Sequence, residues 1–264
     1  MLCLNKGQYS GKVTSIKYLE GVTIGTTLYT EEANDSVQHY HENPHLSFLL
    51  QGGHIEKRKN ADFERTPGDL LFCHGGESHQ FVKSRFPSRN VNLEMDYKFL
   101  EIYGLSESEV YKGLCGNSNL KFLMLQMYKD VLIDDGLTET SIQISLLDLI
   151  STSNKLLSQS RPKWVDPLYE ILNDRWNEQL TLEELSTIVQ VHPVTISKNF
   201  HKYFGCTFGE YMRKLRIDKS IKMIRCLEHS LTAIALECGF SDQSHFIRTF
   251  KEKTGWLPKQ FQLL

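Results

Sequence analysis

The 264-residue chain has no uninterrupted apolar stretch of 18 residues, so no membrane-spanning helix and no membrane partner are expected. It also lacks a C-x-x-C pair. Its six cysteines, Cys3, Cys73, Cys115, Cys206, Cys226 and Cys238, are scattered, several of them in apolar helical contexts. That usage argues against a disulfide framework or a zinc knuckle and suits a reducing cytosol, so a cytoplasmic protein is expected. Met1–Leu4 runs directly into Asn5, Lys6 and Gly7, which leaves no apolar run for a signal peptide. No nucleophile–base pair, paired carboxylates or glycine-rich phosphate loop stands out. Gly52-Gly53 and Gly75-Gly76 read as turns, because no helix follows them to hold a phosphate. The expectation is a protein that is not an enzyme.

What the chain does have is a globular balance, with 40% hydrophobic and 23% charged residues. Its length suits one large domain or two ordinary ones. The net charge of −2 hides an asymmetry: from Arg161 onward there are 15 Lys+Arg against 12 Asp+Glu, and before it 15 against 20. A mildly basic C-terminal part after an acidic N-terminal part suggests that only the former meets a polyanion. Ser158–Lys163, polar and holding a proline, is the expected linker between them.

Residues 1–100 read as β. Val13–Tyr18, Val22–Tyr29, Leu46–Leu50, His54–Lys59, Leu70–Cys73, Gln80–Lys83 and Asn90–Met95 are short and rich in β-branched and aromatic residues. Gln51-Gly52-Gly53 and Pro67-Gly68-Asp69 read as turns between them. Many short strands without intervening helices suggest a small barrel or jelly roll. From 118 to 160 the period changes. Leu120, Leu123, Met124, Met127 and Val131 form one stripe; Ile142, Leu146, Leu149, Ile150, Leu156 and Leu157 form a looser second one. Asp134-Asp135-Gly136 separates them, so an antiparallel helical hairpin is expected. It either packs on its own barrel or forms a dimer interface.

Beyond the linker the chain reads as helical. Asp166-Pro167 is an N-cap followed by proline at the first helical position, ahead of a stripe of Leu168, Ile171, Leu172 and Trp176. Thr181–Glu184 is a capping box before Leu182, Leu185 and Ile188. His192-Pro193 opens a helix with Ile196, Phe200 and Phe204 on one row, closed by Gly205. Thr207–Glu210 is a second capping box, opening a longer helix. Ser230 caps a helix with Leu231, Ile234, Ala235 and Cys238 on one face, and Gly239 supplies the positive φ of a sharp exit. Asp242 then caps a helix that buries Phe246 and Phe250 and carries Gln243, Ser244, His245, Arg248 and Thr249 on its other face. A short helix, a tight turn and a second helix with a polar outer face make a helix-turn-helix. The motif occurs twice: Ile196, Phe200, Gly205 and Tyr211 are matched 50 residues later by Phe246, Phe250, Gly255 and Phe261.

These residues resemble a known family. The stretches L-T-L-E-E-L, H-P-V-T-I-S-K-N-F-H-K-Y-F-G and A-L-E-C-G-F-S-D-Q-S-H-F-I-R-T-F-K-E-K-T-G-W-L-P are similar to the double helix-turn-helix region of AraC/XylS bacterial transcription regulators. The resemblance spans about Lys163 to Leu264. It implies seven helices and two recognition helices about 34 Å apart, entering successive major-groove segments. Carried over position by position, Val194, Thr195, Ser197 and Lys198 read bases in the first unit, and Gln243, Ser244, His245 and Arg248 in the second. Arg248 suits guanine and Gln243 adenine, each worth roughly 1–3 kcal/mol of discrimination. Lys202, Arg213 and Lys251 are phosphate partners or solvated helix charges. Arg216 reads equally as an internal partner. Two positions depart from the pattern: Gln190 stands at the turn where the second unit has Gly239, and Gln262 stands where the family often has a basic residue.

The N-terminal region is similar to the cupin-like sensor half of the same family, through His39-Tyr40-His41, Pro67-Gly68-Asp69 and Gly76-Glu77-Ser78-His79. Metal-binding cupins place two His, a Glu and a later His; carried over, these are His39, His41, His45 and His79, with His45 where the Glu belongs. An effector pocket and a divalent metal site are both open readings, with His74 as a reserve ligand. No cofactor is required. The fold class expected is α+β with two domains: a cupin-like jelly roll with a helical hairpin, then an all-α domain with two helix-turn-helix units joined by a long helix. The boundaries are 1–115, 116–160 for a dimerisation hairpin, and 161–264. The function implied is an effector-responsive regulator, commonly an activator, with promoter DNA, RNA polymerase, a small-molecule effector and a second copy as partners. The alternative is a metal-dependent cupin enzyme with a helical accessory domain.

Overall fold

A computed structural model describes residues 1–30, 36–115, 117, 119–157, 161–226 and 228–264. The chain divides into two compact units, one holding Met1–Gly116 and Leu120–Ile150, the other Ser151–Leu263. Residues 158–160 of the expected linker lie outside the described residues, as do the side chains of Leu149, Ile150, Leu156 and Leu157.

The first unit is built on eight strands: β1 (Leu2–Leu4), β2 (Lys12–Leu19), β3 (Val22–Tyr29), β4 (His39–His41), β5 (His45–Arg58), β6 (Asp62–Arg65), β7 (Leu70–Cys73) and β8 (His79–Met95). Two of them organise the sheet. The 14-residue β5 and the 17-residue β8 run antiparallel along nearly their whole lengths. Where His45–Phe48 pairs with β8, β7 flanks β5 and β3 flanks β8. Where Ile55–Arg58 pairs with β8, β6 flanks β5 and β4 joins β8 through His39 opposite His79. The result is a curled sheet whose two ends share the same two long strands.

This corrects the reading of Gln51–Gly53 as a turn. The strand continues through it, with register shifts between Leu49 and Ile55 that bend both strands together. Gly52 has φ 83°, and a Cβ there would sit 2.5 Å from the Arg85 carbonyl oxygen. Glycine therefore serves a bulge and a close approach of two strands, not a chain reversal. Gln80–Lys83 and Asn90–Met95 are likewise one strand. Pro67-Gly68 does turn the chain, with φ 92° at Gly68. Phe48, Leu49, Leu50, Leu93 and Ile24 form the apolar interior.

Among the described residues four helices follow the sheet: α1 (Tyr97–Ile102), α2 (Glu107–Cys115), α3 (Leu120–Ile133) and α4 (Thr138–Leu157). The first two were not anticipated, and α1 is capped by Asp96, which accepts from the Phe99 N–H. Where the hairpin was expected, α3 and α4 follow one another, separated by a break at Asp134 with φ 46°. The buried face of α3 is wider than its stripe: Phe122, Leu125 and Tyr128 are buried beside Leu120, Met124 and Met127, and the helix packs on β8.

The second unit holds α5 (Val165–Asp174), α6 (Leu182–Val189), α7 (Pro193–Phe204), α8 (Phe208–Cys226), α9 (Leu231–Glu237), α10 (Gln243–Thr254) and α11 (Pro258–Phe261). Leu168, Leu172, Leu185, Ile196, Phe200 and Tyr211 close one core around α5–α7 and the start of α8. Ile224, Ile234, Ala235, Phe246, Phe250 and Phe261 are all fully buried on the other side. One cap differs from expectation. Asp166 lies inside the first turn of α5, and Trp164 is the N-cap residue, without a side-chain hydrogen bond. Ile188, expected inside, is 48% exposed.

Candidate nucleic-acid interface and a buried histidine cluster

The two helix pairs α6–α7 and α9–α10 are set by local chemistry. Thr181 and Glu184 form a reciprocal capping box on α6, and Thr207 and Glu210 repeat it on α8. Ser230 accepts from the Ala233 N–H to start α9, and Asp242 accepts from the His245 N–H to start α10. That N–H bond is the main reason the Asp242 carboxyl sits below its ordinary range. His192 caps α7 by accepting from the Val194 N–H, and Pro193 follows at the first helical position. The turns are left-handed in both pairs: Gln190 has φ 54° and Gly239 φ 73°. The glutamine thus adopts a conformation that costs a side-chain-bearing residue about 1–2 kcal/mol.

With Ile196 and Phe200 buried on α7, Val194, Thr195, Ser197 and Lys198 are exposed. On α10, Phe246 and Phe250 are buried while Ser244, His245 and Arg248 are exposed. Two expected members of that outer face behave differently. Thr249 is buried, because it lies one position before Phe250 on the inner side. Gln243 is half-buried, and its Oε1 accepts from the Thr232 hydroxyl of α9 at 2.6 Å. His245 keeps its ring against Phe240, which fills the corner between α9 and α10. Lys202 and Lys251 are exposed, Arg213 is half-buried, and Lys202 lies over the Tyr203 ring at 5.2 Å. Arg216 is internal: it donates to the backbone oxygens of Trp176 and Glu178. Gln179 donates to the Gly239 oxygen, so the 176–179 loop is fastened to both α8 and the α9–α10 turn.

The second site lies inside the curled sheet. His39 and His41 alternate on β4 and therefore point the same way. His45 opens β5 and His79 opens β8. All four are at most 5% exposed. His39 and His79 rings are 4.4 Å apart, His41 and His79 stack at 5.4 Å, and His45 packs on His41 at 4.3 Å. One ring nitrogen each of His39, His41 and His79 lies within 4.8 Å of the other two. His45 touches the group from the side. His74, the reserve ligand, is elsewhere, paired with Glu107 of α2.

The hydrogen bonding of this cluster is lopsided. His39 Nδ1 faces the Val37 oxygen at 2.8 Å, and His79 Nδ1 faces the Glu77 oxygen at 3.1 Å. A carbonyl accepts only, so both rings carry their proton on Nδ1 and leave Nε2 as a bare lone pair. Both Nε2 atoms are buried without a partner, as are His45 Nδ1 and His54 Nε2. Each such group costs about 1–3 kcal/mol in a folded interior. Burial, helped by the neighbouring histidines, pushes His39 down to about 4 and His45 down to about 3. Burial also lowers His41, His54 and His79. The cluster is neutral at physiological pH.

Two buried carboxylates beside it were not picked out from the sequence. Glu56 on β5 would be raised by burial, but the neighbouring His54 ring, with the Arg65 and Arg58 guanidiniums, lowers it. Glu94 on β8 accepts from Asn43 and from the Gly7 N–H. Each sits opposite a residue of a neighbouring strand, a pairing that only the register of β5 and β8 creates. A separate pocket of about 330 Å³ between Gly21, Asp96, Phe99 and Gln143 includes none of the histidines.

A helix-turn-helix domain family matches residues 185–263. Two curated relatives match stretches of 100 and 91 residues of the chain. The bifunctional transcriptional activator/DNA repair enzyme AdaA of Bacillus subtilis (strain 168) is 32% identical over 100 residues, covering 38% of this chain and 47% of that protein. The HTH-type transcriptional activator RhaS of Enterobacter sp. (strain 638) is 28% identical over 91 residues, covering 34% and 33%. The chain thus spans half or less of the curated relatives it matches. Among solved structures, the C-terminal domain of AraT, a response regulator from Geobacillus stearothermophilus, shares 25% identity, 39% of this chain and 88% of that chain at a TM-score of 0.37. ToxT from Vibrio cholerae shares 11% identity over 92% of this chain and 98% of that chain at a TM-score of 0.39. Superpositions this loose carry no residue-level argument. The match over 185–263 and the two activators rest on sequence, and by them the C-terminal part of this chain is an AraC-type helix-turn-helix domain.

Proposed function

We propose that the chain is a non-enzymatic, effector-responsive transcription regulator, acting as an activator in the manner its relatives' names describe. Its C-terminal unit binds double-stranded promoter DNA through two helix-turn-helix units, α6–α7 and α9–α10. Its curled sheet is a cupin-like jelly roll that senses a small molecule, and it works as a homodimer that contacts RNA polymerase. The observation that carries this reading is the twice-built helix pair inside the matched segment. Both pairs bury the same aromatic and aliphatic row and leave outward the side chains able to bond base edges. A catalytic accessory domain would have no need of that duplication, which favours the regulator over a metal-dependent enzyme.

α10 is the richer reader. Arg248 is exposed and suited to the O6 and N7 of guanine, and Ser244 and His245 flank it. Val194 on α7 offers only an apolar contact to a thymine methyl. The test is selection of bound sites from random duplex DNA with the full chain, followed by titration of the winning site. Arg248→Ala should cost about 1–3 kcal/mol at one base pair and relax the preference there. Unchanged selectivity in Arg248→Ala and Gln243→Ala would sink the assignment of α10 to the major groove.

A further inference from the structure

We infer that the pocket beside the β2–β3 turn binds a small zwitterion with an apolar body, of the class of an apolar α-amino acid. The pocket belongs to the N-terminal unit and includes none of the buried histidines. The inference is independent of the DNA reading proposed above.

The pocket holds about 330 Å³, within the range of roughly 300–1,000 Å³ usual for small-molecule sites. The β2–β3 turn, α1 and, through Gln143, α4 build it. The turn and α1 are tied together. Gly21 gives its oxygen to the Asp96 N–H at 3.0 Å. With φ 74° it passes so close to α1 that a Cβ there would lie 2.6 Å from the Phe99 Cβ. Leu19 and Phe99, both buried, supply an apolar wall. Ile102 and Tyr103 extend that wall outward at 58% and 42% exposure, the Tyr103 ring lying 4.7 Å from that of Phe99. Apolar side chains gathered on the lip of a cavity gain from being covered.

The polar groups decide what covers them. Lys6 and Asp96 pair at 3.0 Å, and the other Asp96 oxygen accepts the Phe99 N–H, so these two charges are already matched. Lys98 and Glu20 line the same pocket, are exposed, and have no ion-pair partner among the described residues. The half-buried Gln143 amide likewise has no hydrogen-bond partner there. One unpaired ammonium and one unpaired carboxylate on a common pocket favour a ligand that carries both charges. A lone anion would meet Glu20, a lone cation would meet Lys98, and a neutral hydrocarbon would use neither. The amide offers both a donor and an acceptor to such a molecule. Its apolar side chain would lie on Phe99, Ile102 and Tyr103. Because Lys98 stands on α1 and Gln143 on α4, the bound zwitterion would fasten α4 to the end of the sheet.

The experiment uses the full chain in calorimetric titrations with L-leucine and L-phenylalanine. 3-Phenylpropionate, which lacks the ammonium, and phenethylamine, which lacks the carboxylate, follow. Saturable binding of about one amino acid per chain is expected, with each analogue of phenylalanine about fivefold weaker for want of one exposed ion pair. Lys98→Gln should weaken phenylalanine about fivefold without weakening phenethylamine, and Glu20→Gln should weaken phenylalanine without weakening 3-phenylpropionate. Ile102→Glu, a charge set on the exposed lip, should weaken all three, and Lys59→Gln, an exposed lysine outside the pocket, should change nothing. Thermal unfolding of the unaltered chain needs no variant: a saturating amino acid should raise the midpoint. No binding of either amino acid, an analogue that binds as tightly as phenylalanine, or binding that survives all three pocket changes would each overturn the site.

Discussion

On the proposed role of α10, Thr232 restricts what Gln243 would recognise. Its hydroxyl donates to Gln243 Oε1 at 2.6 Å, which engages the acceptor end of the amide and leaves its donor end, the nitrogen. A glutamine turned this way presents donors and reads an acceptor such as guanine N7 or O6, or thymine O4. The adenine pairing expected of Gln243 needs both ends of the amide. Thr232→Val keeps the shape and removes the donor. It should broaden the preference at one base pair by about 1 kcal/mol and let adenine compete, read by competition titration of sites varied at that position. An unchanged preference would show that Thr232 does not set the amide. The sequence pointed to Gln243 through its place in the repeat, but Thr232 is eleven residues away and only the meeting of α9 and α10 reveals it. The histidines show the same division. The H-x-H spacing was legible only through the resemblance to metal-binding cupins, since no strand was expected at His39–His41. That His45 stands aside, and that Glu56 is neutralised by Arg58 and Arg65, depends on strand register and could not be read off.

Elements with chemical end markers were legible, and those without were not. Ser230, Asp242, Thr181 and Thr207 each start a helix where their side chains foretold it. β4 and β1 are three residues long and owe their existence to pairing with each other, which leaves no periodic trace. β5 was read as two strands because glycine marks a bulge as readily as a turn, and β8 as two because its middle, Ser84–Arg89, holds a proline and polar residues. The two helix pairs differ in the same currency. Gln190 and Gly239 both adopt the left-handed conformation. Gln190 is exposed at the C-cap of α6, so Gln190→Gly relieves about 1–2 kcal/mol of strain against about 0.5–1 kcal/mol of added chain entropy. Thermal unfolding should therefore shift upward by a few degrees, about 0.5–1 kcal/mol in a unit near 100 residues. Gly239→Ala should do the opposite and more strongly, since its Cβ would lie 2.4 Å from the Asn177 oxygen. A loss of at least about 1–2 kcal/mol is expected there. Equal effects of the two changes would mean that the turns are not strained as described.

Across the whole molecule, the small net charge of −2 conceals where the charge lies. From Lys198 to the C-terminus there are 12 Lys+Arg and 6 Asp+Glu, and between Arg161 and Ser197 only 3 against 6. The positive excess thus begins on α7 and continues through α8 and α10, and α7 and α10 are the helices proposed to read DNA. Not all of it is free for a phosphate, since Arg216 and Arg225 donate to backbone oxygens of their own unit. The exposed Lys202 and Lys251 and the half-buried Arg213 are the proposed phosphate partners. Such contacts have a signature distinct from base reading: each phosphate neutralised releases condensed counterions, so log K falls with log salt by about 0.9 per contact. Changing Lys202, Arg213 and Lys251 to Gln should flatten the salt slope by about 2–3 in all and weaken selected and random duplexes alike. Arg248→Ala should act in the other sense, lowering the ratio of selected to random affinity while that ratio stays intact in the triple variant. Measuring both variants across a salt series separates the two roles. A triple variant with an unaltered slope would return these three residues to the solvated face of the helices, and the electrostatic share of binding would then have to come from elsewhere on α8.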